Sequence, residues 1–263
     1  MGDYNISPSL DGLQAIFLDL DGTIYLGGKL ISGALDFLSR CSERGIARFF
    51  LSNNSSRSTL QYHEKLSAFG IEVKEDEILL STHDLLSWLN KNNIHQTYVV
   101  GTKGMCSMLE AVGINTASSN PKYVVLGYDT ELTYEKLVVA SEHLHRGIPL
   151  VASHPDIVCP SPRGGLPDVG AFLDLFKATT GVDPVHICGK PNPDMILHKI
   201  KELGFDPTRC AMVGDRLYTD MKMAIDSNVI SILVLSGETT KEDITEFGGE
   251  IDLIVDSINV LLR

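Results

Sequence analysis

The chain has 263 residues, of which 43% are hydrophobic and 21% are charged, and its formal net charge at pH 7 is −12. This composition is typical of a globular protein with one large domain or two modest ones. The acidity argues against binding to nucleic acid or to an anionic membrane surface, because both require clustered Lys and Arg. A small phosphorylated metabolite stays compatible, since a local cation in a cleft can overcome the global charge.

The cysteines and the apolar stretches of the sequence indicate no disulfide framework, metal site or membrane segment. The five cysteines are odd in number and widely spaced, and none forms a Cys-x-x-Cys pair, so neither a disulfide framework nor a zinc site is indicated. We expect reduced thiols and a cytoplasmic location. No apolar stretch has the length of a membrane span, and the first residues lack the basic and apolar regions of a signal peptide.

Strand and helix signals alternate along the chain, which predicts βαβ units and a parallel sheet. The first part predicts strands over 15–18 and 48–52, a helix over 33–44 that Ser32 could cap, and a helix over 59–69. The middle predicts strands over 98–101, 123–127 and 150–153, helices over 103–112, 133–146 and 171–180, and a loop over 159–170. The last part predicts a helix over 193–203 with Asn192 as its cap, and strands over 210–214, 231–235 and 253–255.

The middle segment is typical of a self-contained α/β unit of about 100 residues, inserted between the second and third strands of a core. We therefore expect a two-domain α/β protein. Residues 1–82 and 187–263 would form the core, and residues 83–186 would form the inserted domain.

Four short polar segments each follow a predicted core strand or lie where such a strand would end. In chain order they are Asp-Leu-Asp-Gly-Thr at 19–23, Ser-Asn-Asn-Ser at 52–55, Lys190, and Gly-Asp-Arg-Leu-Tyr-Thr-Asp at 214–220. Ligands of an open α/β sheet bind at the carboxyl ends of its strands, so these segments are expected to converge there. Any one of them alone is also explained as an ordinary turn or surface segment. Their ordered recurrence favours a functional site.

The acidic members of this set need compensation. Two like charges about 4 Å apart repel by about 4 kcal/mol at an effective dielectric constant of about 20. An oxygen-rich, thiol-free set of ligands favours Mg²⁺. Ser52, Asn53 and Lys190 would supply hydrogen-bond donors and positive charge to a tetrahedral oxyanion. Together these groups suit phosphoryl transfer, in which catalysis is mainly positioning and charge stabilisation.

The four segments resemble, in order, the signature motifs of the haloacid dehalogenase-like (HAD) phosphatase superfamily. With Ile24 and Tyr25 after the first motif, Gly-Lys-Pro at 189–191 and the large insert, the chain is similar to the branch of NagD-type and p-nitrophenyl-phosphatase-like enzymes. The resemblance implies a Rossmann-like parallel-sheet core with an inserted α/β cap domain of the C2 type that excludes water from the reaction.

The resemblance also implies a role for each matched residue. Asp19 would be the nucleophile that forms an aspartyl-phosphate, and Asp21 would be the general acid and then the general base. Lys190 would neutralise both Asp19 and the phosphoryl group, which Ser52 and Asn53 would bind. The ligands implied for Mg²⁺ are Asp19, the backbone carbonyl of Asp21 and Asp215, with Asp220 acting in an outer position or through water.

Two residues of the chain, Ser52 and Asp168, depart from the family pattern, and a further group is predicted near the leaving group. Ser52 stands where close relatives often have Thr, which keeps the hydroxyl. Asp168 lies in Pro-Asp-Val-Gly at 167–170, where many relatives carry Pro-Gly-x-Gly, and this puts the leaving-group preference in doubt. His154 and Asp156, together with Arg163, are predicted to lie near the leaving group of the substrate, with a solvated loop as the equal alternative.

The predicted function is that of a Mg²⁺-dependent phosphatase acting on small phosphomonoesters, such as sugar phosphates, nucleotides or p-nitrophenyl phosphate. Two alternatives stay open. One is a phosphotransferase or phosphomutase that uses the same Asp19, and the other is a non-catalytic regulator that binds a phosphorylated metabolite. The sequence leaves the oligomeric state open, with a homo-oligomer as one alternative.

Overall fold

The structure is a computed structural model that describes residue 10 and residues 12–161 and 164–261. Its helices are α1 Ala34–Glu43, α2 Thr59–Ala68, α3 Ser81–Lys91, α4 Lys103–Glu110, α5 Tyr134–His145, α6 Val169–Thr180, α7 Asp194–Leu203, α8 Lys222–Asp226 and α9 Lys241–Glu246. Its strands are β1 Ala15–Asp19, β2 Tyr25–Leu26, β3 Lys29–Leu30, β4 Ala47–Ser52, β5 Ile78–Leu80, β6 Thr97–Val100, β7 Tyr123–Leu126, β8 Leu150–Ala152, β9 Val158–Cys159, β10 Leu166–Pro167, β11 Pro184–Ile187, β12 Cys210–Gly214, β13 Ile230–Val234 and β14 Leu253–Val255.

The predicted strands and helices are present with shifts of one or two residues at their ends, and three details were wrong. The cap of α1 is Gly33, in a left-handed conformation with φ of 80°, rather than Ser32. Pro193 takes the cap position of α7, although Asn192 Oδ1 still accepts from the Asp194 backbone N–H at 3.1 Å. The predicted loop over 159–170 contains the antiparallel pair β9–β10 and the first turn of α6.

The chain divides into two compact units. The first comprises the described residues of Met1–Ser52, His63–Leu79 and Lys190–Arg263, and the second comprises Asn53–Tyr62 and the described residues of Leu80–Gly189. The domain limits expected from the sequence, 1–82 with 187–263 and 83–186, stay a proposal.

The first unit is built on a sheet with the strand order β14-β13-β12-β1-β4-β5, and the described pairs from β14 through β4 are parallel. All five residues of β1 are buried, as expected of a central strand covered on both faces. On one face, Phe17 and Phe49 stack with ring centroids 5.2 Å apart, beneath Ile196 and Ile200 of α7. Because the strands are parallel, β1, β4 and β12 end at the same edge of the sheet.

The second unit is built on a parallel sheet with the order β11-β8-β7-β6. Alternate residues of its strands enter two hydrophobic cores: Val125 packs with Leu85 of α3, whereas Leu126 packs with Phe176 of α6. Trp88 of α3 stacks on the His186 ring, with centroids 5.0 Å apart, and packs against the first of these cores. None of the helices in the described residues combines the length and the apolar character that a membrane span requires.

Candidate active site

Three polar segments of the sequence meet at the carboxyl edge of the first unit's sheet. Asp19 is the last residue of β1, Ser52 is the last residue of β4, and Asp215 follows β12 directly. The turn after β1 requires glycine: Gly22 has φ of 91°, and a Cβ atom built on it would lie 2.3 Å from Asp215 Oδ2. The Asp-Gly pair of the first motif therefore allows the chain to pass close to the carboxylate of the fourth.

Lys190 links the carboxylates of this edge. Its side chain is buried, and its Nζ donates to Asp19 Oδ1 and, at 2.7 Å, to Asp220 Oδ1. Burial alone would lower the pKa of the ammonium group, but the charges of Asp19 and Asp220 raise it above its usual range. Lys190 therefore stays protonated and positively charged at this position.

Asp215 and Asp220 are buried acids whose negative charges are not fully balanced by nearby positive charge. Burial, followed by repulsion from Asp19 and from Asp220, raises the pKa of Asp215 well above its usual range. Burial also raises the pKa of Asp220, although the ammonium of Lys190 opposes the rise. Asp215 Oδ2 accepts from the Glu238 backbone N–H at 2.7 Å, whereas its Oδ1 has no hydrogen-bond partner among the described residues.

This arrangement fits a divalent metal ion. Side-chain oxygens of Asp19, Asp215 and Asp220 lie within 4.8 Å of one another, and all three residues are buried. An orphaned carboxylate oxygen and a surplus of negative charge are the features that a hard cation corrects. These residues could hold a metal ion.

His154 and Asp156, which were predicted to lie near the leaving group, belong to the second unit, as does Asn53. Asn53 is buried, and its Nδ2 donates to Asp156 Oδ1 at 3.1 Å. His154 is fully buried, with Nδ1 at 2.9 Å from Ser153 Oγ and Nε2 at 2.9 Å from Asp168 Oδ1. The alternative of a solvated loop is therefore wrong for His154, whereas its place near the leaving group of the substrate stays a prediction.

Among the remaining members of the predicted site, Asp21 has an exposed side chain directly after the strand. Ser52 is buried at the end of β4. Arg163 lies outside the described residues.

Comparisons with known proteins agree with this geometry. A family model described as haloacid dehalogenase-like hydrolase matches residues 16–115, and a second HAD-hydrolase-like model matches residues 187–261. The acid sugar phosphatase of Staphylococcus epidermidis is 34% identical over 233 residues, which cover 88% of this chain and 90% of that protein. The chain belongs to the haloacid dehalogenase-like hydrolase family.

Solved structures place this HAD hydrolase in a branch of the family. A 4-nitrophenylphosphatase from Thermotoga maritima is 38% identical with a TM-score of 0.91, over 95% of this chain and 96% of that one. A second structure, named for NagD, is 38% identical with a TM-score of 0.88, over 94% of this chain and 96% of that one. The predicted fold and the predicted NagD and nitrophenylphosphatase branch are confirmed, and the chain is a phosphatase.

Two parts of the HAD site were missed by the sequence reasoning. The segment after β13 holds the first and the fourth motifs: Ser236 Oγ donates to the Gly22 carbonyl at 2.7 Å, and Thr239 Oγ1 donates to the Asp215 carbonyl at 2.5 Å. Small polar residues directly after a buried strand were the available signal. Tyr25, the other omission, contributed to the resemblance but received no role, and its hydroxyl donates to Asp21 Oδ2 at 3.1 Å.

Proposed function

We propose that this HAD phosphatase hydrolyses small phosphomonoesters through Asp19, with Mg²⁺ as its metal ion. The observation that carries the proposal is the buried group at the sheet edge, in which Lys190 contacts Asp19 and Asp220 beside the orphaned oxygen of Asp215. The names of the relatives, acid sugar phosphatase and 4-nitrophenylphosphatase, support sugar phosphates and aryl phosphates as substrate classes.

The proposed reaction has two steps. In both steps Asp19 forms or breaks a bond to phosphorus, and Asp21 gives or takes a proton. First, a carboxylate oxygen of Asp19 attacks phosphorus, so that a new P–O bond forms while the ester P–O bond breaks. Asp21 gives its proton to the leaving oxygen, which departs as an alcohol. Water then attacks phosphorus, Asp21 takes the proton of that water, and the bond to Asp19 breaks. Inorganic phosphate leaves and both carboxyl groups return to their starting states.

The other residues stabilise charge. Lys190 places its ammonium against Asp19, where negative charge on the phosphoryl group accumulates. The Ser52 hydroxyl and the Asn53 amide are the proposed donors to phosphoryl oxygens. A bound Mg²⁺ would be held by Asp19, Asp215 and the backbone carbonyl of Asp21, with Asp220 behind them, and would supply positive charge to the phosphoryl oxygens.

The location of the protein is part of the same proposal. The described residues include all five cysteines, and the structure joins none of them in a disulfide. Reduced cysteines support a reducing compartment such as the cytoplasm.

The test is phosphate release from p-nitrophenyl phosphate and from a sugar phosphate, with and without Mg²⁺, by the wild type and Asp19→Asn. We expect release that requires the metal and falls to background in the variant, because an amide is a poor nucleophile. Asp226→Asn is the matched control, since Asp226 is exposed on α8 and pairs with Lys222. Equal amounts of released alcohol and released phosphate would distinguish hydrolysis from transfer to another acceptor. Undiminished release by Asp19→Asn would contradict the proposal.

A further inference from the structure

Tyr25 lies next to Asp21 because the chain turns back after β1. The Gly22 backbone N–H donates to the Tyr25 carbonyl at 2.8 Å, and the Tyr25 backbone N–H donates to the Leu20 carbonyl at 3.2 Å. A β-bridge pairs Asp21 with Tyr25. The backbone of this short turn therefore sets the distance between the two side chains.

The ring of Tyr25 is held by its own packing. Its side chain is completely buried, and its ring stacks on Phe69 with centroids 5.2 Å apart. On the same ring, Lys65 Nζ lies 3.9 Å from the centroid. Asp21, by contrast, is exposed, so the phenol is the fixed partner and the carboxyl group is the one that is oriented.

The hydrogen bond from the Tyr25 hydroxyl engages Oδ2 of Asp21 at 3.1 Å. A carboxyl group has two oxygens, and a donor on one of them directs the acidic proton to the other, Oδ1. A cation over the ring is attracted to its electron-rich face and withdraws density from the phenol, which strengthens the hydroxyl as a donor. The contact thus restrains both the direction of Asp21 and the oxygen from which it delivers a proton.

We propose that Tyr25 is a positioning residue that orients Asp21 for proton delivery to the leaving oxygen. This inference rests on the proposed function, in which Asp21 is the general acid. The competing explanation is that a buried Tyr hydroxyl simply requires a partner, which Asp21 happens to supply. The two explanations differ in one observable, the dependence of the rate on the leaving group.

The test compares two esters in the wild type and in Tyr25→Phe, which keeps the stacked ring and removes only the hydroxyl. An alkyl phosphate such as glycerol phosphate must have its leaving oxygen protonated, whereas the nitrophenolate of p-nitrophenyl phosphate leaves without help. The quantity to measure is kcat/KM, which reports the steps up to the aspartyl-phosphate and excludes the later attack by water. We expect kcat/KM for the alkyl ester to fall on the order of tenfold, with little change for the aryl ester.

Further variants separate positioning from folding. Tyr134→Phe is the matched control, because Tyr134 is exposed on α5, and it should leave the ratio of the two rates unchanged. In an Asp21→Asn background, Tyr25→Phe should no longer alter that ratio, because the group that it orients is gone. If Tyr25→Phe is poorly folded, Lys65→Met tests the same contact by removing the cation over the ring, and it should move the ratio in the same direction.

An unchanged ratio of the two kcat/KM values in a folded Tyr25→Phe would overturn the inference, and so would an unchanged ratio in Lys65→Met where Tyr25→Phe does not fold. Failure of the proposed function has a different signature. It would be visible in the wild type and Asp19→Asn before Tyr25 is altered, as an absence of turnover or as turnover that does not need Asp19.

Discussion

At the scale of single residues, the sheet edge holds more negative charge than Lys190 can neutralise. Asp19, Asp215 and Asp220 are buried and lie within 4.8 Å of one another, and the single ammonium group of Lys190, which pairs with Asp19 and Asp220, faces three carboxylates. Buried charges without full compensation destabilise a folded protein. The arrangement therefore favours binding of a cation at the expense of the stability of the metal-free protein.

Asp215→Asn should separate these two effects. The amide keeps an oxygen that can accept from the Glu238 backbone N–H but removes one buried negative charge. We expect the metal-free variant to be more stable than the metal-free wild type by about 1–3 kcal/mol. Mg²⁺ should raise the melting temperature of the wild type but not that of the variant, because binding to the folded state alone stabilises it.

Thermal unfolding with EDTA and with added Mg²⁺ measures both effects, and Asp226→Asn serves again as an exposed control. If metal-free Asp215→Asn melts at a lower temperature than the metal-free wild type, repulsion among the buried carboxylates does not destabilise the protein. An equal shift by Mg²⁺ in both proteins would show that Asp215 is not a ligand.

At the scale of elements, the start of α6 is fixed by a buried hydrogen-bonded chain. Asp168 Oδ1 accepts from the Val169 backbone N–H at 2.7 Å, which caps the helix, and from His154 Nε2 at 2.9 Å. In that tautomer His154 Nδ1 accepts from Ser153 Oγ, which also lies 3.0 Å from Ser55 Oγ. One carboxylate thus joins the helix to the end of β8.

Asp168→Gly removes the acceptor of both bonds, and we expect it to lower the free energy of unfolding by about 2–4 kcal/mol. A lost helix cap accounts for about 1 kcal/mol, and an unpaired buried His154 accounts for about 1–3 kcal/mol. Asp168→Asn keeps an acceptor oxygen and should cost less than half as much. The matched control is Thr133→Ala, which removes the exposed cap of α5.

Urea unfolding of these variants measures the differences. A loss in Asp168→Gly no greater than that in Thr133→Ala would show that the bond to His154 contributes nothing to stability.

The sequence predicts those elements whose signal is local. Strands β1 and β12 are continuous apolar runs, as expected where both faces of a strand are covered, and the four polar segments that follow strands needed no knowledge of tertiary contacts. Helix α3 was missed because it begins after Leu80, without a capping Ser, Thr, Asp or Asn at that position.

Long-range pairing explains the other omissions. The burial of His154 depends on Asp168, fourteen residues away, and sequence spacing does not show that the two side chains meet. The role of Tyr25 depends on a chain reversal that Gly22 permits but does not require. Such contacts follow from the assembled fold and not from any local propensity.

At the scale of the whole molecule, the protein is an anion that is proposed to act on anions. Asp and Glu total 34 against 22 Lys and Arg, for a net charge of −12. Three of these carboxylates, on Asp19, Asp215 and Asp220, lie in the first unit near the proposed reaction, with Lys190 among them. A dianionic phosphomonoester therefore approaches against the field of the protein, and the local cations act only at short range.

Screening should relieve this repulsion. At saturating Mg²⁺, raising NaCl from about 20 to about 200 mM shortens the Debye length from about 20 to about 7 Å. We expect kcat/KM for a sugar phosphate to rise by about two- to threefold, because long-range repulsion slows the encounter. The value of kcat should stay constant, because the contacts of bound substrate are shorter than the Debye length and salt does not screen them. Repeating the series with tetramethylammonium chloride separates screening from binding of Na⁺. A fall in kcat/KM with salt would mean that the field of Lys190 and the metal ion outweighs the net charge even at long range.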